Sequence, residues 1–428
     1  VEESLGEAPA AKSGDLLAGE PGPASAPLTG AKVQATPLCE VDADAAPRLA
    51  TGIPELDRVL GGGLVPGSVV LLGGEPGIGK STLCLQLASQ VEGKGGRVLY
   101  VTGEESLEQV RLRAERLGEI PSGLLALSET RVEALAGPWR EARPRVVLVD
   151  SVQTLRSGRV ESAPGSVTQV RECAALLAAT AKAHGTALVL VGHVTKEGTL
   201  AGPRVLEHLV DVVLTFEGDR SHQFRLLRAS KNRFGSTQEV GVFSMGEKGL
   251  VEVGNPSELF LAERHPDAPG SCIVPVMEGS RPMLLEVQAL VAPAGYGTAR
   301  RTCIGIDDAR VALLLAVLDR RSDVDLLGCD VYVNVTGGVR IAEPAADLAV
   351  ALALASSRLD VSVPRDAAAC GEVGLGGEVR RVGRLDQRLR EAGRLGFRRV
   401  LAPAATAGGG AQGVAVEDVA AAVHWLRG

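Results

Sequence analysis

The sequence predicts an α/β protein with a parallel core sheet, followed by a second α/β domain. Three observations carry this. Short apolar runs alternate with helical stretches, the pattern of strands joined by crossover helices and covered on both faces. A glycine-rich loop of the form G-x-x-x-x-G-K-[ST] joins one such run to a helix. Composition then shifts after about Gly254, and a new set of strand and helix patterns begins near Pro256. The length of 428 residues fits two or three domains.

Residues 1–45 are rich in Ala, Gly, Pro and Ser without periodicity, so they are expected to form a flexible linker. The first domain is expected over 46–255. In it a turn cluster, Leu60 to Gly67, leads into the apolar run Ser68–Leu72, read as a buried strand. The glycine-rich loop follows, then a helix over Ser81–Gln90 with Leu83, Leu87 and Ala88 at helical spacing. Val98–Val101, Val146–Val149 and Ala187–Val191 read as further strands, separated by helices such as Leu107–Leu117 and Val170–His184. Val210–Phe216 and Phe224–Leu227 extend the sheet. In the second domain, 256–428, strands are expected at Leu284–Val291 and Val331–Val335. Helices are expected at Ala309–Leu318 and Asp347–Ser356, then a Gly-rich strand-turn segment at Gly371–Val382 and a basic helix over Leu385–Leu395.

Lys+Arg of 45 against Asp+Glu of 52 gives a net charge of −7, which excludes a globally basic coat for nucleic acid but leaves room for a local patch. The seven cysteines (Cys39, Cys84, Cys173, Cys272, Cys303, Cys329 and Cys370) are scattered, with no C-x-x-C pair, so no zinc site is expected. Their odd number and irregular spacing fit a reduced cytoplasm. No apolar run approaches the roughly 20 residues of a membrane span. No lysine follows Lys248.

The glycine-rich loop is Gly74-Glu75-Pro76-Gly77-Ile78-Gly79-Lys80-Ser81, with Thr82 next. Glycines let backbone N–H groups wrap phosphate oxygens, and the following helix adds its N-terminal dipole. Lys80 supplies a charge for the β- and γ-phosphates of ATP, and Ser81 an oxygen for Mg²⁺. Val146–Val149 ends in Asp150, a carboxylate delivered by a buried strand to the Mg²⁺ water shell. After Val98–Val101 comes Thr102-Gly103-Glu104-Glu105-Ser106. On a strand expected beside the loop-bearing strand, Glu104 is the candidate base that orients the attacking water, with Glu105 as second choice. The same acids would also suit the first turn of a helix. His193 and Lys196, after the strand Ala187–Val191, are candidates for sensing the γ-phosphate. Lys231-Asn232-Arg233-Phe234-Gly235 places two cations where they can complete a neighbour's active site, or simply form a basic hairpin turn.

Taken together, Leu60-Gly61-Gly62-Gly63, the phosphate loop, Gly103–Ser106, Val149-Asp150-Ser151 and the Lys231–Gly235 run resemble the bacterial RadA (Sms) family of RecA-like ATPases, from about Arg48 onward. The resemblance implies a ring-forming, hexameric, ATP-driven motor on single-stranded DNA that helps extend heteroduplex and process branched recombination intermediates alongside the RecA recombinase. It also implies that Lys231 acts on the nucleotide of the adjacent subunit, and that Arg233 serves DNA contact or coupling. The family carries an N-terminal four-cysteine zinc module, which this chain lacks; Val1 falls where that module would end, so truncation is the expectation, and zinc is not an expected ligand.

The C-terminal region resembles the Lon protease domain, through Gly371-Glu372-Val373 with Gly383 and through Glu343–Asp347. The resemblance puts Ala345 at the nucleophile position and Asp386 at the base position. With no lysine after Lys248, a Ser–Lys dyad cannot be built within this domain. A non-proteolytic scaffold for ring assembly is therefore expected, with Arg300, Arg301, Arg340, Arg380, Arg381, Arg384, Arg388 and Arg390 as candidates for a DNA-facing surface. Aromatic residues are only 3%, which disfavours a stacking platform and points to ionic, salt-sensitive contact. Arg156–Thr168 and Lys196–Arg204 are the candidate pore loops. The alternative from another class is a nucleotide-gated scaffold or signalling ring, since Glu104-Glu105 also resembles the paired acids of the related clock-type autokinases.

Overall fold

The structure, a computed structural model, describes residues 37, 47–93, 95–192, 206–218, 224–262, 264–295, 299–403, 407–408 and 411–428. Apart from residue 37, the linker expected over 1–45 lies outside the described residues, as do His193, Lys196 and the segment Lys196–Arg204. The chain divides into two compact units. The first holds residues up to Glu217 with Leu226–Thr237 and Phe243–Glu252; the second holds Gly218–Arg225, Gln238–Val242 and everything from Val253.

The first sheet is built from β1 (Val69–Gly74), β2 (Val98–Thr102), β3 (Leu125–Ser128), β4 (Val146–Asp150), β5 (Ala187–Val191), β6 (Val212–Glu217), β7 (Phe224–Asn232), β8 (Val240–Gly246) and β9 (Gly249–Glu252). The helices are α1 (Pro54–Leu60), α2 (Lys80–Glu92), α3 (Leu107–Leu117), α4 (Ala136–Ala142) and α5 (Val167–His184). The strands form one sheet in the order β3-β2-β4-β5-β1-β6-β7-β8-β9. The stretch from β3 to β6 is parallel, while β6–β7 and β8–β9 pair antiparallel. Every residue of β1, β2, β4 and β5 is buried, which is why these strands read as unbroken apolar runs. Alternation still sorts their side chains: Val70 and Leu72 join a core with α1 and α2, Val69 and Leu71 one with α4 and α5. Local signals set the helix ends. Ser106 and Gln109 form a capping box on α3, Ser166 accepts from Gln169 N–H at the start of α5, and Gly61 and Gly185 close α1 and α5 in the left-handed region.

The order corrects one expectation. β2 does not lie beside β1: β4 and β5 intervene, and the neighbours of β1 are β5 and β6. Strand order is set by packing between distant segments, which a linear pattern does not encode. The consequence is that Thr102 pairs with Asp150, so the ends of β2 and β4 meet.

The second unit contains α6 (Pro256–Leu261), β10 (Ser271–Glu278), β11 (Arg281–Pro293), β12 (Arg301–Ile304), α7 (Asp308–Arg321), β13 (Cys329–Val335), α8 (Asp347–Leu359), β14 (Ala367–Ala369), β15 (Glu372–Val373), β16 (Val379–Arg380), α9 (Leu385–Arg394), β17 (Arg399–Ala402), β18 (Ala407–Gly408), β19 (Ala411–Ala415) and α10 (Val419–Arg427). Its sheet has the mixed order β12-β13-β11-β10-β14-β17-β19-β18, and β15–β16 is a separate small hairpin. Helix α8 is buried at every residue from Asp347 to Ser356, which explains its apolar composition all round.

Candidate active site

The loop after β1 is built by glycines that take positive φ, Gly77 at 79° and Gly79 at 120°, where side-chain-bearing residues are strained. Ile78, buried in the core, pins the loop from beneath. Gly79 caps α2 with no side-chain hydrogen bond, leaving the first-turn N–H groups to whatever binds there. Lys80 opens α2 and folds back over the loop, its Nζ donating to Gly74 O (2.8 Å) and Glu75 O (2.9 Å). Burial pulls the Lys80 ammonium below its ordinary pKa, and the charges of Asp150 and Glu104 act against that shift. Ser81 and Thr82 sit half-buried in the first turn of α2.

Asp150 ends β4 almost completely buried. The Tyr100 hydroxyl, from β2, donates to its Oδ2 at 2.7 Å. The next residue, Ser151, donates from Oγ to Glu104 Oε1 at 2.6 Å. Lys80, Asp150 and Glu104 are thus brought together, although Glu104 arrives by way of β4 rather than from beside β1. Glu105 is committed elsewhere: its carboxylate forms an ion pair with Arg113 of α3, and its N–H donates to Thr102 Oγ1 at 3.0 Å.

Two parts of this site were not foreseen. Tyr100 is the single aromatic in an otherwise aliphatic run, Val98–Val101, a signal the sequence did contain. The β8–β9 hairpin is the other. Gln86 of α2 donates from Nε2 to Leu250 O (2.9 Å) and accepts from Leu250 N–H (3.0 Å), across 164 positions of sequence. This clamps the hairpin on α2, and a Cβ added at Gly79 would lie 3.3 Å from Met245 Cε.

The Lys231 run lies elsewhere. Lys231 pairs with Val213, which pairs with Leu71, three residues before Gly74. That is about 10 Å back along the strands from the loop. Its Nζ donates to Glu207 O and, at 2.8 Å, to Val210 O, in the segment that leads into β6 at the end of the strands away from the loop. Arg233 pairs with Asp211 at 3.0 Å. Asn232 donates to Val59 O (3.1 Å), and Arg48 to Phe234 O (2.6 Å). Gly235 packs against Gly61 so closely that a Cβ on Gly61 would meet Gly235 Cα at 3.3 Å, which accounts for the pairing of the two glycine-bearing motifs.

The loop Arg156–Thr168 is held in shape by buried Gln169, whose Nε2 donates to the carbonyls of Ser157, Val160 and Ser162 and whose Oε1 accepts from Ser157 N–H. Arg156 and Arg159 are exposed on it. In the second unit Ala345 is buried and Asp386 exposed. Beside Ala345, Glu343 receives both Nη atoms of Arg388 (2.7 and 2.6 Å), and Asp347 is gripped by Arg310 and by Val373 N–H at 2.9 Å. Arg388 is therefore corrected as a surface candidate: it is 3% exposed and also donates to Pro275 O at 2.6 Å. Arg300, Arg301, Arg340, Arg381 and Arg390 are exposed, Arg380 pairs with Glu378, and Arg384 donates to Gly279 O and Gln238 Oε1. Among the described residues no group of three or more His, Cys, Asp or Glu side chains is placed to hold a metal, and no helix is long and apolar enough to cross a membrane.

This fold and site define a RecA-like P-loop ATPase unit joined to a Lon-type C-terminal domain. Residues 34–199 match the family model described as an AAA domain, and residues 322–410 match that of the Lon protease (S16) C-terminal proteolytic domain. The chain is 52% identical over 396 residues to the DNA repair protein RadA of Bacillus subtilis (strain 168), covering 92% of this chain and 86% of that protein. It is 51% identical over 373 residues to the DNA repair protein RadA of Halalkalibacterium halodurans, covering 87% and 82%. The protein of the same name from Streptococcus pneumoniae is 52% identical over 376 residues, covering 88% and 89%. The chain belongs to the RadA family of DNA repair proteins.

Proposed function

We propose that this chain is a Mg²⁺-dependent, DNA-stimulated ATPase that drives movement on single-stranded DNA as a hexameric ring. The observation that carries the reading is the Ser151–Glu104 hydrogen bond of 2.6 Å, which ties Glu104 to the residue next to Asp150, on a site whose third charge is Lys80. The P-loop, Gly74 to Thr82, holds the phosphates of ATP, and Lys80 moves from its loop carbonyls to the β- and γ-phosphates. Glu104 orients the attacking water; Glu105, paired with Arg113, is not free to do so. The donor set suits Mg²⁺: Ser81 and Asp150 offer hard oxygens, and Asp150 Oδ1 has no hydrogen-bond partner among the described residues. When bound, the ion neutralises phosphate charge.

Because Lys231 lies toward the far end of its own sheet, it reaches a nucleotide only on a neighbouring subunit, where it offsets charge developing on the γ-phosphate. Arg233, His193 and Lys196 couple nucleotide state to DNA. The loop Arg156–Thr168 contacts the DNA backbone ionically. The Lon-type unit serves as a non-proteolytic scaffold of the ring. Within DNA repair, the role on this reading is branch migration and processing of recombination intermediates beside RecA.

The test is ATPase rate against single-stranded DNA concentration, at low and moderate salt, for the chain and for Lys231→Ala. Strong stimulation that weakens with salt and vanishes in the variant is expected. A flat response to DNA with intact basal turnover would favour the nucleotide-gated scaffold instead.

A further inference from the structure

We propose that Tyr100 is a positioning residue for the metal-shell carboxylate: its hydroxyl holds Asp150 Oδ2 so that Oδ1 is the oxygen offered to Mg²⁺. This rests on the proposed role of Asp150. Tyr100 lies on β2 beside β4, level with Leu148 and two residues before the Thr102–Asp150 pair. Two strand residues span about 6.6 Å, which the length of a tyrosine side chain covers. Its ring is 1% exposed and packs in the core beside Leu148, so the hydroxyl has a fixed origin. The 2.7 Å bond is the only hydrogen bond to the Asp150 side chain among the described residues. Lys80 does not replace it, because its ammonium donates to Gly74 and Glu75.

The chemistry of the partner matters. An arginine or lysine on Oδ2 would neutralise the carboxylate and compete with a divalent cation. A phenol orients the carboxylate and satisfies one oxygen while leaving its negative charge in place. Glu105 shows the contrast one loop away: paired with Arg113, its charge is compensated by the protein itself.

The test measures Mn²⁺ binding to the ADP-loaded protein by electron paramagnetic resonance, and ADP affinity in EDTA, for the wild type, Tyr100→Phe, Asp150→Asn and the double variant. Tyr100→Phe is expected to weaken Mn²⁺ binding about 3- to 10-fold, the worth of one hydrogen bond to the ligand, with metal-free ADP affinity unchanged. In the Asp150→Asn background the same substitution is expected to change nothing further. Wild-type Mn²⁺ affinity in Tyr100→Phe, alongside loss in Asp150→Asn, overturns the proposal and leaves the role of Asp150 standing. Wild-type affinity in Asp150→Asn overturns that role itself. Equal losses with and without metal also overturn the proposal, since Tyr100 would then support the loop generally. A second measurement does not depend on Tyr100→Phe folding. In a chain carrying Tyr296→Phe and Tyr332→Phe, Mg²⁺ added to the ADP complex is expected to shift the near-ultraviolet band of Tyr100, and an unchanged band contradicts the proposal.

Discussion

The end of the ATPase sheet and the Ala345 region of the Lon-type unit both gather charged side chains, but they commit them differently. Around the P-loop, Lys80 is held only by loop carbonyls, Asp150 by a phenol and Glu104 by a serine hydroxyl. The one hydrogen bond to the Asp150 carboxylate among the described residues comes from a neutral donor. Around Ala345, Arg388 grips Glu343 with two nitrogens and Arg310 grips Asp347 likewise. On the proposed reading, a site that receives phosphate and metal holds the Asp150 carboxylate by a neutral donor that orients it without cancelling its charge. Around Ala345 the charged side chains are instead paired with each other, as suits the scaffold role proposed for this unit.

The largest effect that would sharpen this contrast is at the first site. Glu104→Gln is expected to lower ATP turnover about 10²- to 10⁴-fold with nucleotide binding retained, while Glu105→Gln changes it less than about 10-fold. Single-turnover kinetics with parallel nucleotide binding checks both, and equal losses would break the distinction between the acid beside Ser151 and the acid paired with Arg113. At the second site the readout is stability. Arg388→Ala leaves Glu343 without its partner and is expected to cost about 3–5 kcal/mol, whereas joint replacement of Arg388 and Glu343 by apolar residues costs less, as chemical denaturation would reveal. Installing Ala345→Ser with Asp386→Lys is expected to give no peptide hydrolysis, because the Arg388 and Arg310 pairs still fill the surroundings; casein cleavage by that variant would contradict the paired-charge account.

A smaller effect concerns buried thiols. Burial pushes Cys272 and Cys370 up to about 12. In the unfolded chain a thiol ionises near about 8.5. The native state therefore binds the proton more tightly, and the stability it contributes is complete below the unfolded value and falls as pH rises from there toward 12. Cys370→Ala is expected to flatten that fall by about 1.4 kcal/mol per pH unit, measured by urea unfolding at neutral and alkaline pH.

The α/β class, most elements and the residues of the P-loop were legible because each rests on a local pattern: apolar runs, glycine spacing, an acid at a strand end. Leu107–Leu117 was readable to the residue, since Ser106 and Gln109 form its capping box. What stayed hidden depends on contacts between distant segments. The placement of β2 beside β4, the Gln86–Leu250 clamp and the burial of Arg388 against Glu343 have no local signature. Arginine-rich composition made Arg388 look like surface, and only packing distinguishes it from exposed Arg390. Tyr100 was hidden differently, as a polar tip counted among core residues.

The central claim is that the site of one chain is completed by Lys231 of another. The direct measurement mixes Lys80→Ala chains, which keep Lys231, with Lys231→Ala chains, which keep the P-loop, and follows ATP turnover. If Lys231 acts across a head-to-tail interface, two inactive variants restore activity together, to about a quarter of the wild-type rate for equal random mixing. Turnover that stays at the level of either variant alone would contradict the account.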